Sequence, residues 1–198
     1  MNLFISGWAG FKEALGYIPE DWHFINPFID LDEKEIINIL KYKSGNTVVG
    51  WSTGGHIILK NLLFFSERFR KIIVIAGFRK FTYYVKPRII SRMIQKMQTE
   101  PEIVIKDFLV NAGCNPLFPE KVDYKKLING LEFLLSSEVS YLQSEITNLI
   151  LIQGINDKIL PINALEDLKI LYPYAKTFLI AKSHWIGFEE ILKIKASG

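Results

Sequence analysis

The chain has 198 residues, 49% of them apolar and 23% charged, which excludes a disordered polymer and leaves room for one real core with a small insertion. A net charge of +3 is too small to argue for nucleic-acid binding unless the charge is clustered. The single cysteine, Cys114, excludes a disulfide framework and a cysteine-rich zinc site; it suits a reducing compartment and reads as a small apolar filler.

The first residues, Met1 to Trp8, lack the basic start and long apolar run of a signal peptide, and no window is apolar for the length a membrane span needs. A cytoplasmic location without a membrane span is therefore expected.

Short runs rich in β-branched residues predict strands at 3–6, 23–25, 47–50, 72–76, 149–153 and 177–181. The uninterrupted runs Ile72-Ile73-Val74-Ile75 and Leu149-Ile150-Leu151-Ile152 fit strands buried on both faces, as in a parallel sheet covered by helices. Helical spacing between them predicts helices at 32–42, with Ile36, Ile37 and Leu40 inward, at 55–69, with Ile57, Ile58, Leu62 and Phe65 inward, and at 163–171 after Pro161. This alternation is that of a doubly wound α/β fold with a mostly parallel sheet of about six strands. It breaks between Phe78 and Glu145, where helical patterns are cut by Pro87, Pro101, Pro116 and Pro119. The expected organisation is a core of residues 1–78 and 146–198 with a helical cap at 79–145.

The segment Gly50-Trp51-Ser52-Thr53-Gly54 has the Gly-x-Ser-x-Gly pattern between a predicted strand and a predicted helix, the context of a nucleophile elbow. The plain alternative is a glycine-rich turn without chemistry. A serine hydroxyl needs a base, and the base works best with a carboxylate that fixes its tautomer. Both occur downstream, each past a strand: Asp157 in Gly154-Ile155-Asn156-Asp157, and His184 in Ala181-Lys182-Ser183-His184-Trp185. The plain alternatives are a turn residue and a polar loop residue. Of the three histidines, His23 lies at an early strand and His56 one helical turn beyond Ser52, facing away from the elbow tip, which leaves His184 as the base. Oxyanion donors are expected from the N–H of Thr53, after the nucleophile, and of Trp8, in the loop Ser6-Gly7-Trp8-Ala9-Gly10 after the first strand.

These residues resemble the α/β-hydrolases, and among them the pimeloyl-[acyl-carrier-protein] methyl ester esterases of biotin synthesis. The likeness runs through Gly7-Trp8, Gly50-Trp51-Ser52-Thr53-Gly54-Gly55, Asn129-Gly130-Leu131-Glu132-Phe133-Leu134, Gly154-Ile155-Asn156-Asp157 with Pro161, Tyr172-Pro173 and Ala181 to Phe188. Two departures stand out. Ser6 replaces the histidine usual before Gly-Trp, and the chain starts at the strand that is normally third, so a minimal six-stranded core is expected.

Between residues 79 and 96 lie six basic residues, Arg79, Lys80, Lys86, Arg88, Arg92 and Lys96, and no acidic one, so the rest of the chain sums to −3. By itself this reads as a solvated helix face. The resemblance implies more: substrate arriving on an acidic acyl-carrier protein, met by Arg79, Lys86, Arg88 and Arg92 beside an apolar channel. It implies a serine carboxylesterase that hydrolyses the methyl ester of pimeloyl-carrier protein through Ser52, His184 and Asp157, with no metal or organic cofactor and no nucleic-acid partner. The alternatives are a general short-chain esterase or thioesterase acting on small-molecule esters, and a non-catalytic binding protein on the same scaffold.

Overall fold

A computed structural model describes residues 1–140 and 145–197; residues 141–144 of the expected cap segment and Gly198 of the expected core lie outside it. Six strands form one sheet: β1 (Asn2–Ile5), β2 (Trp22–Ile25), β3 (Gly45–Trp51), β4 (Phe69–Ile75), β5 (Leu149–Gly154) and β6 (Lys176–Ile180), in the order β2-β1-β3-β4-β5-β6. Every pairing is parallel, with Ile5 beside Ile25 and Gly50, and Ile75 beside Trp51 and Ile152.

Successive strand residues point to opposite faces, and both faces are covered. Leu3, Ile5, Val48, Ile72, Val74, Leu149 and Leu151 pack under the helices α2 (Glu33–Leu40), α3 (Thr53–Lys60), α4 (Leu62–Ser66) and α8 (Asn163–Leu171). Phe4, Val49, Trp51, Ile73, Ile75, Ile150 and Ile152 face α1 (Lys12–Leu15), α9 (Phe188–Ser197) and the insertion. Each fully buried Ile or Leu contributes about 1.5–3 kcal/mol of transfer free energy, which explains why these strands are uninterrupted apolar runs rather than alternating ones.

Local signals set the helix ends. Asp32 caps α2 by accepting from Glu35 N–H while the Glu35 carboxylate accepts from Asp32 N–H, a reciprocal capping box. The helix expected at 55–69 begins earlier, at Thr53, and is divided at Asn61, whose φ of −117° leaves the helical region. The Asn61 side chain holds that break by donating to Ile57 O and to the Glu33 carboxylate. The short α1 is an addition to the sequence expectation.

Between β4 and β5 the chain forms a 3-10 turn at Phe81–Tyr83 and then α5 (Pro87–Met97), α6 (Pro101–Ala112) and α7 (Tyr124–Ser136). Pro87 and Pro101 stand at first helical positions, where no N–H is needed. Gly113 ends α6 in the left-handed conformation at φ 78°, and Asp123 caps α7. The insertion leaves and re-enters the core at one place: Val139 N–H donates to Arg79 O, and Glu138 receives Arg79 and Lys80, both at 3.2 Å, and the Tyr83 hydroxyl at 2.9 Å. No helix among the described residues is long and apolar enough to cross a membrane.

Candidate active site

The chain builds outward from β1 to β2 and then returns to place β3 on the other side of β1, so the loops after β1 and β3 diverge at the carboxyl edge of the sheet. Such a switch point leaves a crevice, and the sequence has put Trp8 and Ser52 on its two sides.

Ser52 sits at φ 51°, ψ −112°, a left-handed turn that a side-chain-bearing residue adopts only when its surroundings impose it. The surroundings do impose it. Ser52 N–H is tied to Ile75 O at the end of β4, and Ser52 O receives His56 N–H as α3 begins. The crossings of α3 over β3 and β1 are too tight for side chains: a Cβ on Gly50 would lie 2.7 Å from Gly54 O, and one on Gly54 would lie 2.2 Å from Ile5 O of β1. The hydroxyl is thereby carried on a sharp strand-to-helix turn, and the residue is 4% exposed.

Asp157 and His184, 27 residues apart, meet at the ends of β5 and β6: His184 Nδ1 lies 2.7 Å from Asp157 Oδ2, and both side chains are shut away from solvent. Asp157 is saturated with donors. Its Oδ1 accepts from the N–H groups of Ile159 and Leu160, and its Oδ2 also accepts from Gln153 Nε2 at 2.6 Å. Burial alone would raise this carboxyl, but His184 and the Leu160 and Ile159 N–H groups outweigh it and hold Asp157 below the ordinary carboxylate range. An ionised Asp157 keeps the His184 proton on Nδ1, so Nε2 is left as the basic nitrogen, and it has no hydrogen-bond partner among the described residues. Trp51, the residue before Ser52, brings this pair to the elbow: its indole N–H donates to His184 O at 2.9 Å, and the two rings lie 5.5 Å apart.

On the other side, Ser6 closes the loop after β1, its hydroxyl donating to Gly10 O at 2.6 Å. Ser6 thus holds the turn that presents Trp8. Trp8 N–H points at Thr53 Oγ1 at 3.3 Å, a long bond. Thr53 is the first residue of α3, so its own N–H has no acceptor within the helix. Two backbone donors are therefore gathered beside Ser52.

Ser52, Thr53 and Trp8 line a cavity of about 460 Å³. Its remaining wall is largely apolar: Phe81 and Val85 near the 3-10 turn, Ile89, Ile90 and Met93 of α5, Phe108 of α6, Leu131 and Leu134 of α7, and Ile159. Of the basic residues singled out by sequence, Lys86 lines this cavity, and Arg92 lines an adjoining one of about 380 Å³ between α5 and α6. Arg88 is exposed on α5 and lines neither, and Arg79 is drawn to Glu138 at the base of the insertion.

His23 is exposed on the edge strand β2. His56 is buried and joins core to cap, with Nδ1 3.0 Å from Phe78 O and Nε2 2.8 Å from the Ser137 hydroxyl; burial lowers its pKa to about 4. Cys114 is buried and its thiol is pushed up to about 12, which makes it inert. Sequence reasoning missed Gln153 and Lys158. Gln153 did carry a signal, as the one polar side chain in the buried run Leu149–Gly154. No group of three or more His, Cys, Asp or Glu among the described residues could hold a metal ion.

The six-stranded parallel sheet, its helical covering and the elbow after β3 define the α/β-hydrolase fold. Solved structures share it: an esterase from Exiguobacterium antarcticum has a TM-score of 0.71 at 16% identity, covering 99% of this chain and 89% of that one. A hydrolase from Pseudomonas aeruginosa has a TM-score of 0.68 at 10% identity, over 99% and 87% of the two chains. An epoxide hydrolase from Bacillus megaterium has 0.66 at 15% identity, over 99% and 90%. No protein-family model matches the sequence, and no curated protein matches it.

Proposed function

We propose that the protein is a serine carboxylesterase. The observation that carries this is the buried His184–Asp157 pair bound to the elbow that bears Ser52, with His184 Nε2 unpartnered among the described residues. Ser52 Oγ attacks the ester carbonyl and its proton passes to His184 Nε2. The carbonyl oxygen becomes an oxyanion and takes the N–H groups of Thr53 and Trp8, the latter released from its long bond to Thr53 Oγ1. Collapse of the intermediate breaks the carbon–oxygen bond, His184 returns the proton to the leaving alkoxide, and an alcohol departs. Water then attacks the acyl-Ser52 ester, gives a proton to His184, and frees the acid as the proton returns to Ser52. Asp157 stays ionised throughout and stabilises the imidazolium. No metal or organic cofactor takes part.

Labelling by a fluorophosphonate tests the class. The folded wild type is expected to label and Ser52→Ala is not; a folded wild type that stays unlabelled would make the protein a non-catalytic binder on a hydrolase scaffold.

For the substrate we favour the methyl ester of pimeloyl-acyl-carrier protein, hydrolysed in the cytoplasm to the free ω-carboxylate and methanol. Support comes from the resemblance through Gly7-Trp8 and Asn129 to Leu134, from an apolar cavity suited to a methylene chain, from Lys86 in its wall and Arg92 in the wall of the adjoining cavity, and from Arg88 exposed on α5. Arg79, bound to Glu138, contributes to this surface as part of an ion pair. Hydrolysis of the carrier-bound ester by wild type and by an Arg88→Glu/Arg92→Glu variant is the test. Loss on the carrier-bound ester with a small ester still cleaved supports the carrier. If the wild type cleaves p-nitrophenyl esters and leaves the carrier-bound ester intact, the protein is a general short-chain esterase or thioesterase, a reading the esterases of the same fold favour equally.

A further inference from the structure

The cavity over Ser52 has two charged residues in its wall, and both are lysines. Lys86 stands on the cap side, just before α5, and Lys158 on the core side, in the loop that carries Asp157. No carboxylate lines the cavity, and the one further ionisable side chain in it, Tyr84, has its hydroxyl committed to Asp167 at 2.5 Å.

Neither ammonium has a hydrogen-bond or ion-pair partner among the described residues. Other lysines are paired: Lys60 meets Glu33, Lys80 meets Glu138 and Lys169 meets Glu166. Helix electrostatics give Lys86 no reason to be there either. It caps the amino end of α5, and the first turn of that helix holds no acidic residue, so a cation faces the positive end of the helix dipole. Lys158 is held in place by its neighbours, because Asp157 on one side binds the N–H groups of Ile159 and Leu160 on the other. The backbone that carries the exposed lysine is thus tethered to Asp157.

We infer that Lys86 and Lys158 are a specificity device that selects esters carrying an anionic group, carboxylate or phosphate, beyond an apolar stretch next to the scissile carbonyl. The inference rests on the esterase reading and adds to it a charge requirement that no triad residue supplies. Two cations at the exposed rim of one largely apolar cavity attract such a group more strongly than either would alone, while the chain between lies on Ile90, Met93 and Leu131. One lysine belongs to the cap and the other to the core, so the anion also links the two walls.

The test compares p-nitrophenyl esters of matched chain length that end in a methyl, a carboxylate or a phosphate, with wild type, Lys86→Met, Lys158→Met and the double Lys→Glu variant. Wild type is expected to favour the anionic esters in kcat/KM by roughly tenfold or more, chiefly through KM, with the preference shrinking as salt is raised. Each single Met variant should move the anionic-to-neutral ratio towards one, and the double Glu variant should invert it. Lys125→Met, on α7 and outside the cavity lining, should keep the wild-type ratio. The carboxylate and phosphate arms tell which anion is preferred. A wild-type ratio near one, or a double variant that keeps the wild-type ratio, overturns the inference. Calorimetric binding of hexanoate against hexanamide to Ser52→Ala reads the same preference without turnover. Stronger hexanoate binding that is lost on adding Lys158→Met supports the charge selection even if no ester is cleaved, whereas equal binding of acid and amide sinks it.

Discussion

The floor and the roof of the cavity are held by different forces. At the floor, between β3, β5 and β6, nearly every polar atom has a fixed partner: Asp157 accepts four hydrogen bonds, Trp51 binds His184 O, and the Ser52 backbone is pinned to Ile75 and His56. The roof, made by α5, α6 and α7, meets the cavity with Ile90, Met93, Phe108, Leu131 and Leu134, which offer surface and no direction. Hydrogen bonds fix atoms to within tenths of an ångström, whereas apolar packing fixes volume and tolerates sliding. On the proposed esterase reading, reaction geometry therefore belongs to the floor, and the choice of acyl group to the roof and the lysines at its edge.

If that division is right, floor substitutions act on kcat. The largest effect is expected from Ser52→Ala, a loss of activity on the order of 10⁴–10⁶-fold without unfolding, since alanine suffers the same backbone strain as serine at φ 51°. Ser52→Gly should be equally inactive yet more stable, because the strain it relieves is of order 1–3 kcal/mol; thermal melts of the two variants measure this. Asp157→Asn keeps the shape but no longer fixes the Nδ1–H tautomer, and kcat should fall on the order of 10⁴-fold, with KM nearly unchanged.

How much of this the sequence discloses follows the same line. The floor is written in short segments: glycines at 50 and 54 around Ser52, and apolar runs that end a few residues before Asp157 and His184, so the strands and their parallel arrangement were readable, most of them within a residue or two and the start of β4 within three. The departure at Asn61 was not, since it depends on Glu33, 28 residues away. Nor was Lys158, because a lysine in a loop looks the same whether it faces solvent or a cavity. The fate of Arg79 was hidden for the same reason: Glu138, which binds it, lies 59 residues on, across the whole insertion.

His56 joins the two regions and supplies a smaller effect, on stability. Its neutral form donates from Nδ1 to Phe78 O and accepts from the Ser137 hydroxyl at the end of α7, and burial lowers its pKa from 6.5 to about 4. The unfolded chain binds the proton first, so this stabilisation is complete above pH 6.5 and is lost as the pH falls towards 4, a change of about 3 kcal/mol. Urea denaturation at pH 7 and pH 4.5 should reveal most of this difference in wild type. In His56→Gln the pH 7 stability should drop and the slope between the two pH values should flatten.

The finest test concerns Trp8, whose backbone belongs to the floor and whose side chain belongs to the roof. Its N–H faces Thr53 Oγ1, while its indole N–H donates to Leu127 O of α7 at 2.8 Å and its rings meet Phe108 of α6 edge-on at 4.9 Å. The helix comes this close because residue 130 is glycine: a Cβ there would stand 2.9 Å from the indole Cδ1. Trp8→Phe removes the bond to Leu127 and should cost about 1 kcal/mol of stability. If floor and roof were independent, kcat would stay as it was. On the proposed mechanism the same residue presents an oxyanion donor, so a loosened side chain should also let that N–H wander, and kcat should fall several-fold while KM for a short ester holds. Gly130→Ala, which pushes from the roof side without touching the floor, should reproduce the kcat loss. A rise in KM alone in both variants would instead mean that Trp8 serves the pocket and not the oxyanion loop.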